Sequence, residues 1–184
     1  KEIFSIAQAS QRKNYLPIQE ILQKNIIEIN ELVQNDGQLP GITTGFRDID
    51  KMLGGLKKTD LVVLAARPGM GKTAFALNVA ENAAMAGHSV LVFSMEMSKE
   101  QLGQRMLAMS ARVDMEHIKN GTIEDDEWYS IDEAQEKFED VNLNIDDTAQ
   151  ISILEMKNKC RRLKEKSGLD LVIIDYLQLM SLGY

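Results

Sequence analysis

The segment Ala66-Arg67-Pro68-Gly69-Met70-Gly71-Lys72-Thr73 limits what this chain can become more than any other. An apolar run, Leu61-Val62-Val63-Leu64-Ala65, precedes it, and a helical pattern over Lys72–Ala86, ending at Gly87, comes after it. An apolar run of that length reads as a strand buried on both faces. A glycine-rich turn between such a strand and a helix is the setting of a phosphate-binding loop. Glycines let the backbone curl until successive N–H groups point at one polyphosphate, and the helix N-terminus adds partial positive charge. In that arrangement Lys72 reaches the β- and γ-phosphates, and the Thr73 hydroxyl binds Mg²⁺. The pattern G-x-x-x-x-G-K-[ST] would place glycine at Ala66. Alanine is acceptable there if φ is negative, and Gly69 supplies freedom inside the loop. The competing reading is an ordinary strand-to-helix turn.

From Asp60 onward strands and helices alternate. Val90–Phe93 reads as a second buried strand and Leu169–Asp175 as the last clear one, with Leu143-Asn144-Ile145 as a short strand between them. Ser98–Met109 reads as a helix opened by a capping box of Ser98 and Gln101. Glu124–Phe138 reads as a helix with a solvated acidic face. Ser152–Lys166 is a further helix, with Ser152 and Glu155 as a capping box and Ile153, Met156, Cys160 and Leu163 facing inward. The alternation predicts an α/β fold: a parallel sheet with helices on both faces, joined by right-handed crossovers.

Ahead of this unit, Leu16–Val33 carries Ile18, Leu22, Ile26, Ile29 and Val33 at helical spacing, widened by Ile21, Ile27 and Leu32. Asn35-Asp36-Gly37 stops the helix, and Pro40-Gly41 keeps the chain extended. The helix is either part of this domain's core or a linker helix that docks on another subunit; the spacer Gln34–Gly41 separates it from the α/β unit.

Two carboxylates join the loop as candidates. Asp175 ends the strand Leu171-Val172-Ile173-Ile174, where an acidic residue can hold Mg²⁺ in phosphate-loop enzymes. Glu96 lies just past the strand Val90–Phe93, at the carboxyl end where open α/β sheets bind ligands. A carboxylate there can orient a water for attack on a γ-phosphate. The alternatives are a strand terminus for Asp175 and an exposed residue before a helix for Glu96.

The 184 residues carry a formal charge of −7. That acidity is concentrated in Asp114–Asp147, with 13 acidic and 2 basic residues, so the remainder is +4. Overall charge therefore says little about the other faces. No run approaches the roughly 18 apolar residues of a membrane span. One cysteine, Cys160, excludes an internal disulfide framework and suits a reducing cytoplasm. The chain starts at Lys1 rather than Met, and Lys1–Lys13 has no signal-peptide core; it reads as a piece of a longer protein.

Five segments together resemble the ATPase domain of DnaB-type replicative helicases, in that family's order. They are Ile42-Thr43-Thr44-Gly45-Phe46-Arg47-Asp48-Ile49-Asp50; Leu53-Gly54-Gly55-Leu56; Ala65–Thr73 with Ala74-Phe75-Ala76-Leu77-Asn78 after it; Phe93–Ser98; and Ile174-Asp175-Tyr176-Leu177-Gln178-Leu179-Met180. The resemblance implies a RecA-like fold over 42–184, after a linker region over 1–41. It implies a ring hexamer with ATP between subunits and the helix Leu16–Val33 packed on a neighbour. It carries over Ala66, Arg67, Pro68, Gly69, Met70, Gly71, Lys72, Thr73 and Ala74 as nucleotide-contacting residues. Thr73 and Asp175 become the Mg²⁺ residues, and Lys72 and Glu96 the catalytic ones, Glu96 activating water. Arg105 matches a family arginine near the nucleotide, its alternative being a helix-surface arginine.

The family's DNA-binding loops, γ-phosphate-sensing glutamine and arginine finger all fall later than Tyr184, so single-stranded DNA would be gripped by regions beyond it. Arg161, Arg162, Lys164 and Lys166, in the last turns of a helix, read as a solvated face. The resemblance thus implies a cytoplasmic, ATP-hydrolysing helicase motor, with primase and a helicase loader as partners and no membrane. The alternatives are another RecA-like ATPase, such as a RadA-type recombination factor or a phage helicase, and a nucleotide-gated interaction module with little turnover.

Overall fold

In the computed structural model, residues 16–34 and 39–180 are described. The Asn35-Asp36-Gly37 stop and the Lys1–Lys13 segment lie outside them. The chain divides into two units, Lys1–Pro40 and Gly41–Tyr184. The first contains α1 (Ile18–Gln34), whose residues Ile18, Leu22, Ile26, Ile29 and Val33 are all exposed.

In the second unit, α2 (Arg47–Leu53) precedes α3 (Lys72–Met85), β1 (Val90–Ser94), α4 (Lys99–Ala111) and α5 (Met115–Asn120). Then come α6 (Asp125–Glu139), β2 (Leu143–Asp146), α7 (Ile153–Ser167) and β3 (Leu171–Asp175), with a 3-10 turn at Leu177–Leu179. The strands form a parallel sheet in the order β2-β1-β3, with Phe93 opposite Asp146 and Ser94 opposite Asp175. Because side chains alternate along a strand, β1 feeds two cores. Val90 and Val92 pack with Ala80, Ala83 and Ala84 of α3 on one face. Leu91 and Phe93 pack with Ile151 and Met156 on the other. The small alanines let α3 lie close on the sheet, which sets its N-terminus at the carboxyl ends of the strands. Leu102 and Met106 of α4 extend the α3 side around Leu77.

Two local devices fix the helix termini. Ser98 and Gln101 make both bonds of the expected capping box at the start of α4. Ser152 accepts the Glu155 N–H at the start of α7, but the reciprocal bond of the expected capping box is not made. The acidic face of α6 is solvated, with Ile131 and Ala134 buried on its inner side.

Two further expectations fail. Leu61–Ala65 forms no strand and is not buried: Leu61 and Val63 are 85% and 72% exposed. An apolar run becomes a strand only when a neighbour supplies its ladder of hydrogen bonds, and among the described residues no strand pairs with this one. Ile153, expected to face inward, is 67% exposed. Ile151 already fills that end of the core, so the inward stripe of α7 starts at Met156, with Cys160 and Leu163 partly buried behind it.

The segment before α2 braces α3. Buried Asp50 accepts from the Thr43 hydroxyl at 2.6 Å and from the Thr44 N–H and hydroxyl at 2.8 and 2.7 Å. Burial alone would raise the Asp50 pKa; these bonds and the Gly45 N–H outweigh it and hold the carboxyl below its ordinary value. The Thr44 carbonyl in turn accepts from Asn82 of α3 at 3.0 Å, and Phe46 stacks on Phe75 with centroids 4.7 Å apart. Gly41 and Gly55 cross so closely that a Cβ on Gly41 would lie 2.7 Å from the Gly55 backbone.

Candidate functional site

Three side chains from two distant parts of the sequence converge where α3 begins and β3 ends. Lys72 Nζ lies 2.7 Å from Asp175 Oδ1, and the Thr73 hydroxyl donates to Asp175 Oδ2 at 2.6 Å. Thr73 and Asp175 are 102 positions apart in the chain. The α3 helix starts at Lys72 because Gly71, at φ 83°, can adopt the left-handed conformation that turns the loop into the helix. Gly69, at φ 76°, does the same two residues earlier, and a Cβ at either position would meet open space. The loop from Ala66 to Gly71, including Arg67, Pro68 and Met70, is exposed, so its backbone is accessible from solvent.

The electrostatics are asymmetric. Asp175 is buried, whereas Lys72 is partly open. Among the described residues, Asp175 Oδ1 meets only the Lys72 ammonium and Oδ2 only the Thr73 hydroxyl. A buried carboxylate held only by a displaceable lysine, beside a threonine hydroxyl, supplies hard oxygen donors of the kind Mg²⁺ takes. The described residues hold no cluster of three or more His, Cys, Asp or Glu that could cage a metal. Mg²⁺ is ordinarily held by one or two carboxylates together with substrate phosphates, so this donor set fits it.

Glu96 sits on the loop between β1 and α4, exposed at the same carboxyl edge. The Met95 N–H donates to the Asp175 carbonyl at 3.0 Å, which places Glu96 one residue from the strand end that carries Asp175. Ala74 lies in the first turn of α3. Arg105 lies in α4, partly buried, and the structure brings it to none of these groups.

Residues 41–184 match the family model of the DnaB-like helicase C terminal domain. The chain belongs to this family. It is 39% identical over 181 residues to the replicative DNA helicase DnaC of Bacillus subtilis (strain 168), covering 98% of this chain and 40% of that protein. It is 40% identical over 179 residues to the replicative DNA helicase DnaB of Geobacillus stearothermophilus, covering 95% of this chain and 39% of that one. The chain thus spans about two-fifths of the length of these relatives. Among solved structures it superposes on the ATPase domain of G40P with a TM-score of 0.80 and 32% identity, over 87% of this chain and 58% of that one. It superposes with a TM-score of 0.82 and 31% identity on a DnaB-like replicative helicase solved for its interactions with primase, over 100% of this chain and 44% of that one. The fold is the RecA-like α/β fold of these helicase ATPase domains.

Two residues of this DnaB-like domain were not singled out by sequence reasoning. The Lys72 ammonium lies 4.3 Å from the centre of the Tyr176 ring, a cation–π contact. Position alone, immediately after Asp175, was the signal available for it. The second is Ser94, the last residue of β1, whose hydroxyl organises the loop bearing Glu96. At the far edge of the sheet, Asp146 pairs with Lys159 at 2.7 Å. Burial pushes the Asp146 pKa up, but the bonds from Lys159 and Thr148 outweigh it and hold the carboxyl below its usual range. Arg161, Arg162, Lys164 and Lys166 are exposed along α7. No helix among the described residues is long and apolar enough to cross a membrane.

Proposed function

We propose that this chain is the nucleotide-hydrolysing part of a ring-shaped replicative DNA helicase, coupling ATP turnover to movement along single-stranded DNA and separation of the duplex at a fork. The convergence of Lys72 and Thr73 on Asp175 carries the reading, because a generic glycine turn has no reason to aim a lysine and a hydroxyl at one buried carboxylate. Residues 42–184 act as the motor domain and 1–41 as a linker region. In the intact protein the exposed stripe of α1 docks on a neighbouring subunit of a homo-hexamer. Single-stranded DNA is held by regions beyond residue 184. The neighbour solved for its interactions with primase supports primase as a partner, and a helicase loader and a cytoplasmic location belong to the same reading.

Within the site, the Ala66–Ala74 backbone cradles the phosphates of ATP. Lys72 leaves Asp175 to meet the β- and γ-phosphates, and Thr73 and Asp175 hold Mg²⁺. When bound, that ion neutralises charge on the phosphates. Glu96 accepts a hydrogen bond from the attacking water and orients it, and Arg105 approaches the nucleotide from α4. The work of the protein is mostly positioning and charge stabilisation. The test is the steady-state ATPase rate of the full-length protein carrying Lys72→Ala. Loss of most Mg·ATP binding or turnover is expected, since no other residue in the loop supplies a point cation; near-normal hydrolysis would refute the assignment.

A further inference from the structure

The loop that carries Glu96 is held together by one side chain. Ser94, buried at the end of β1, donates its hydroxyl to the Met97 carbonyl at 2.7 Å and accepts the Met97 N–H at 3.2 Å. One hydroxyl thereby satisfies both main-chain groups of the residue that closes the turn. The turn is also fastened from outside. Met95 donates to the Asp175 carbonyl at 3.0 Å, Ser98 caps α4, and the Lys99 N–H donates to Asp147 Oδ2 at 3.1 Å. Glu96 is the exposed residue inside this frame, and its side chain takes part in none of these bonds.

The choice of serine at this place is informative. The other four residues of β1 are Val90, Leu91, Val92 and Phe93, all buried and apolar. Packing alone would continue that pattern, and a buried hydroxyl costs free energy unless its bonds are made. Here both bonds go to the turn rather than to the sheet or to solvent. The adjoining strand residue in register with Ser94 is Asp175 itself. Ser94 therefore ties the geometry of the Glu96 loop to the strand pair that places the candidate metal carboxylate.

We infer that Ser94 is a positioning residue for hydrolysis: its hydroxyl sets the shape of the Met95–Met97 turn so that the Glu96 carboxylate is held at a fixed place relative to Asp175. This rests on the reading of Glu96 as the water-orienting group. Without the hydroxyl, both main-chain groups of Met97 need new partners, and the turn relaxes. Misplacement of a reacting group by about 1 Å can cost up to about 100-fold in rate.

The test is a double-mutant cycle in the full-length, assembled protein, using Ser94→Ala, Glu96→Gln and the pair. The readouts are kcat and KM for ATP hydrolysis, together with the dissociation constant of a fluorescent ATP analogue. Ser94→Ala is expected to lower kcat about 10- to 100-fold, leaving KM and nucleotide affinity within about two-fold. In the Glu96→Gln background the same change is expected to lower the residual rate by less than about two-fold, because its route of action is gone. An equal loss in both backgrounds, or a Ser94→Ala protein with kcat near wild type, overturns the inference while leaving the role of Glu96 standing. A Glu96→Gln protein with near wild-type kcat refutes that role, and the inference with it. If Ser94→Ala does not assemble, Ser94→Cys keeps the size with only a weak donor and passes through the same cycle, with the same results deciding.

Discussion

Lys72 is engaged by Asp175, the residue proposed to hold Mg²⁺. Its ammonium is 2.7 Å from Asp175 and 4.3 Å from the Tyr176 ring centre. A phosphate that recruits Lys72 must first separate it from Asp175. Asp175→Asn removes that competitor and the candidate Mg²⁺ carboxylate in one step. The two effects have opposite signs and are separated by the metal. A partly buried ion pair of this kind contributes about 1–2 kcal/mol net, between an exposed pair and a hydrogen bond to a charged group. At about 1.4 kcal/mol per decade, freeing Lys72 tightens metal-free nucleotide binding by about 5- to 30-fold. With Mg²⁺ present, loss of the carboxylate weakens binding by about ten-fold or more, since one charged donor of the metal has become neutral.

The quantity to measure is the ratio of dissociation constants in EDTA and in Mg²⁺. Full-length wild-type and Asp175→Asn proteins are titrated with a labelled, slowly hydrolysed ATP analogue, tracked by fluorescence anisotropy. The ratio is expected to fall by about two orders of magnitude in the variant, partly because the EDTA value improves. If Asp175→Asn weakens binding by the same factor in both buffers, Asp175 is a scaffold for α3 and the ion-pair argument is wrong.

Three further outcomes are expected. Glu96→Gln keeps nucleotide affinity while kcat falls by roughly two or more orders of magnitude; equal, small effects on both would remove Glu96 from the chemistry. At the α5–α6 junction, His117 Nδ1 lies 2.7 Å from Glu127, whose hydrogen bond raises the His117 pKa. The Glu127 pKa is lowered, by the Glu124 N–H first and His117 second. The histidine contribution is present below its unfolded pKa of about 6.5 and is lost as pH rises through the raised folded value; the Glu127 contribution is present above about 4.5 and is lost as pH falls through the lowered folded value. Glu127→Gln keeps the capping bond but not the charge, so its melting-temperature deficit against wild type is expected to be larger at about pH 5.5 than at about pH 9, and a pH-independent deficit would count against the pair. Ile26→Asp with Ile29→Asp in α1 should lower hexamer content, seen by light scattering, and ATPase activity with it; an unchanged hexamer returns α1 to an ordinary surface helix.

Much of the architecture was legible because it rests on local rules. The Ser98–Gln101 box opens α4 as expected, and the apolar run Val90–Phe93 is the buried central strand. The helices α2 and α5 were not anticipated, being only 7 and 6 residues long. Pieces that short are held by tertiary contacts such as the Asp50 network, which no periodicity announces. Leu61–Ala65 failed for the converse reason. Its composition is that of a buried strand, but burial belongs to neighbours, and sequence pattern cannot say whether the neighbour lies within these 184 residues.

The site divides along the same line. Motif spacing pointed to Lys72, Thr73 and Asp175 separately, yet that they meet within 2.7 Å is a property of β3 lying next to β1 with α3 across one face. Ser94 was invisible because its signal is contrast: a serine ending a run of four apolar strand residues reads as a strand terminus until its hydroxyl is seen bonded to Met97. Glu96 is the reverse. Its motif is conspicuous, while its side chain, exposed and engaged with none of the site's other groups, would look idle if the structure were read alone. A residue proposed to meet a water and a γ-phosphate has no reason to spend its carboxylate on the protein beforehand. Asp175 and Lys72, by contrast, satisfy each other until a nucleotide arrives. On the proposed reading the chemistry begins with an exchange of partners at Lys72, and the strength of its bond to Asp175 sets how much binding energy that exchange consumes.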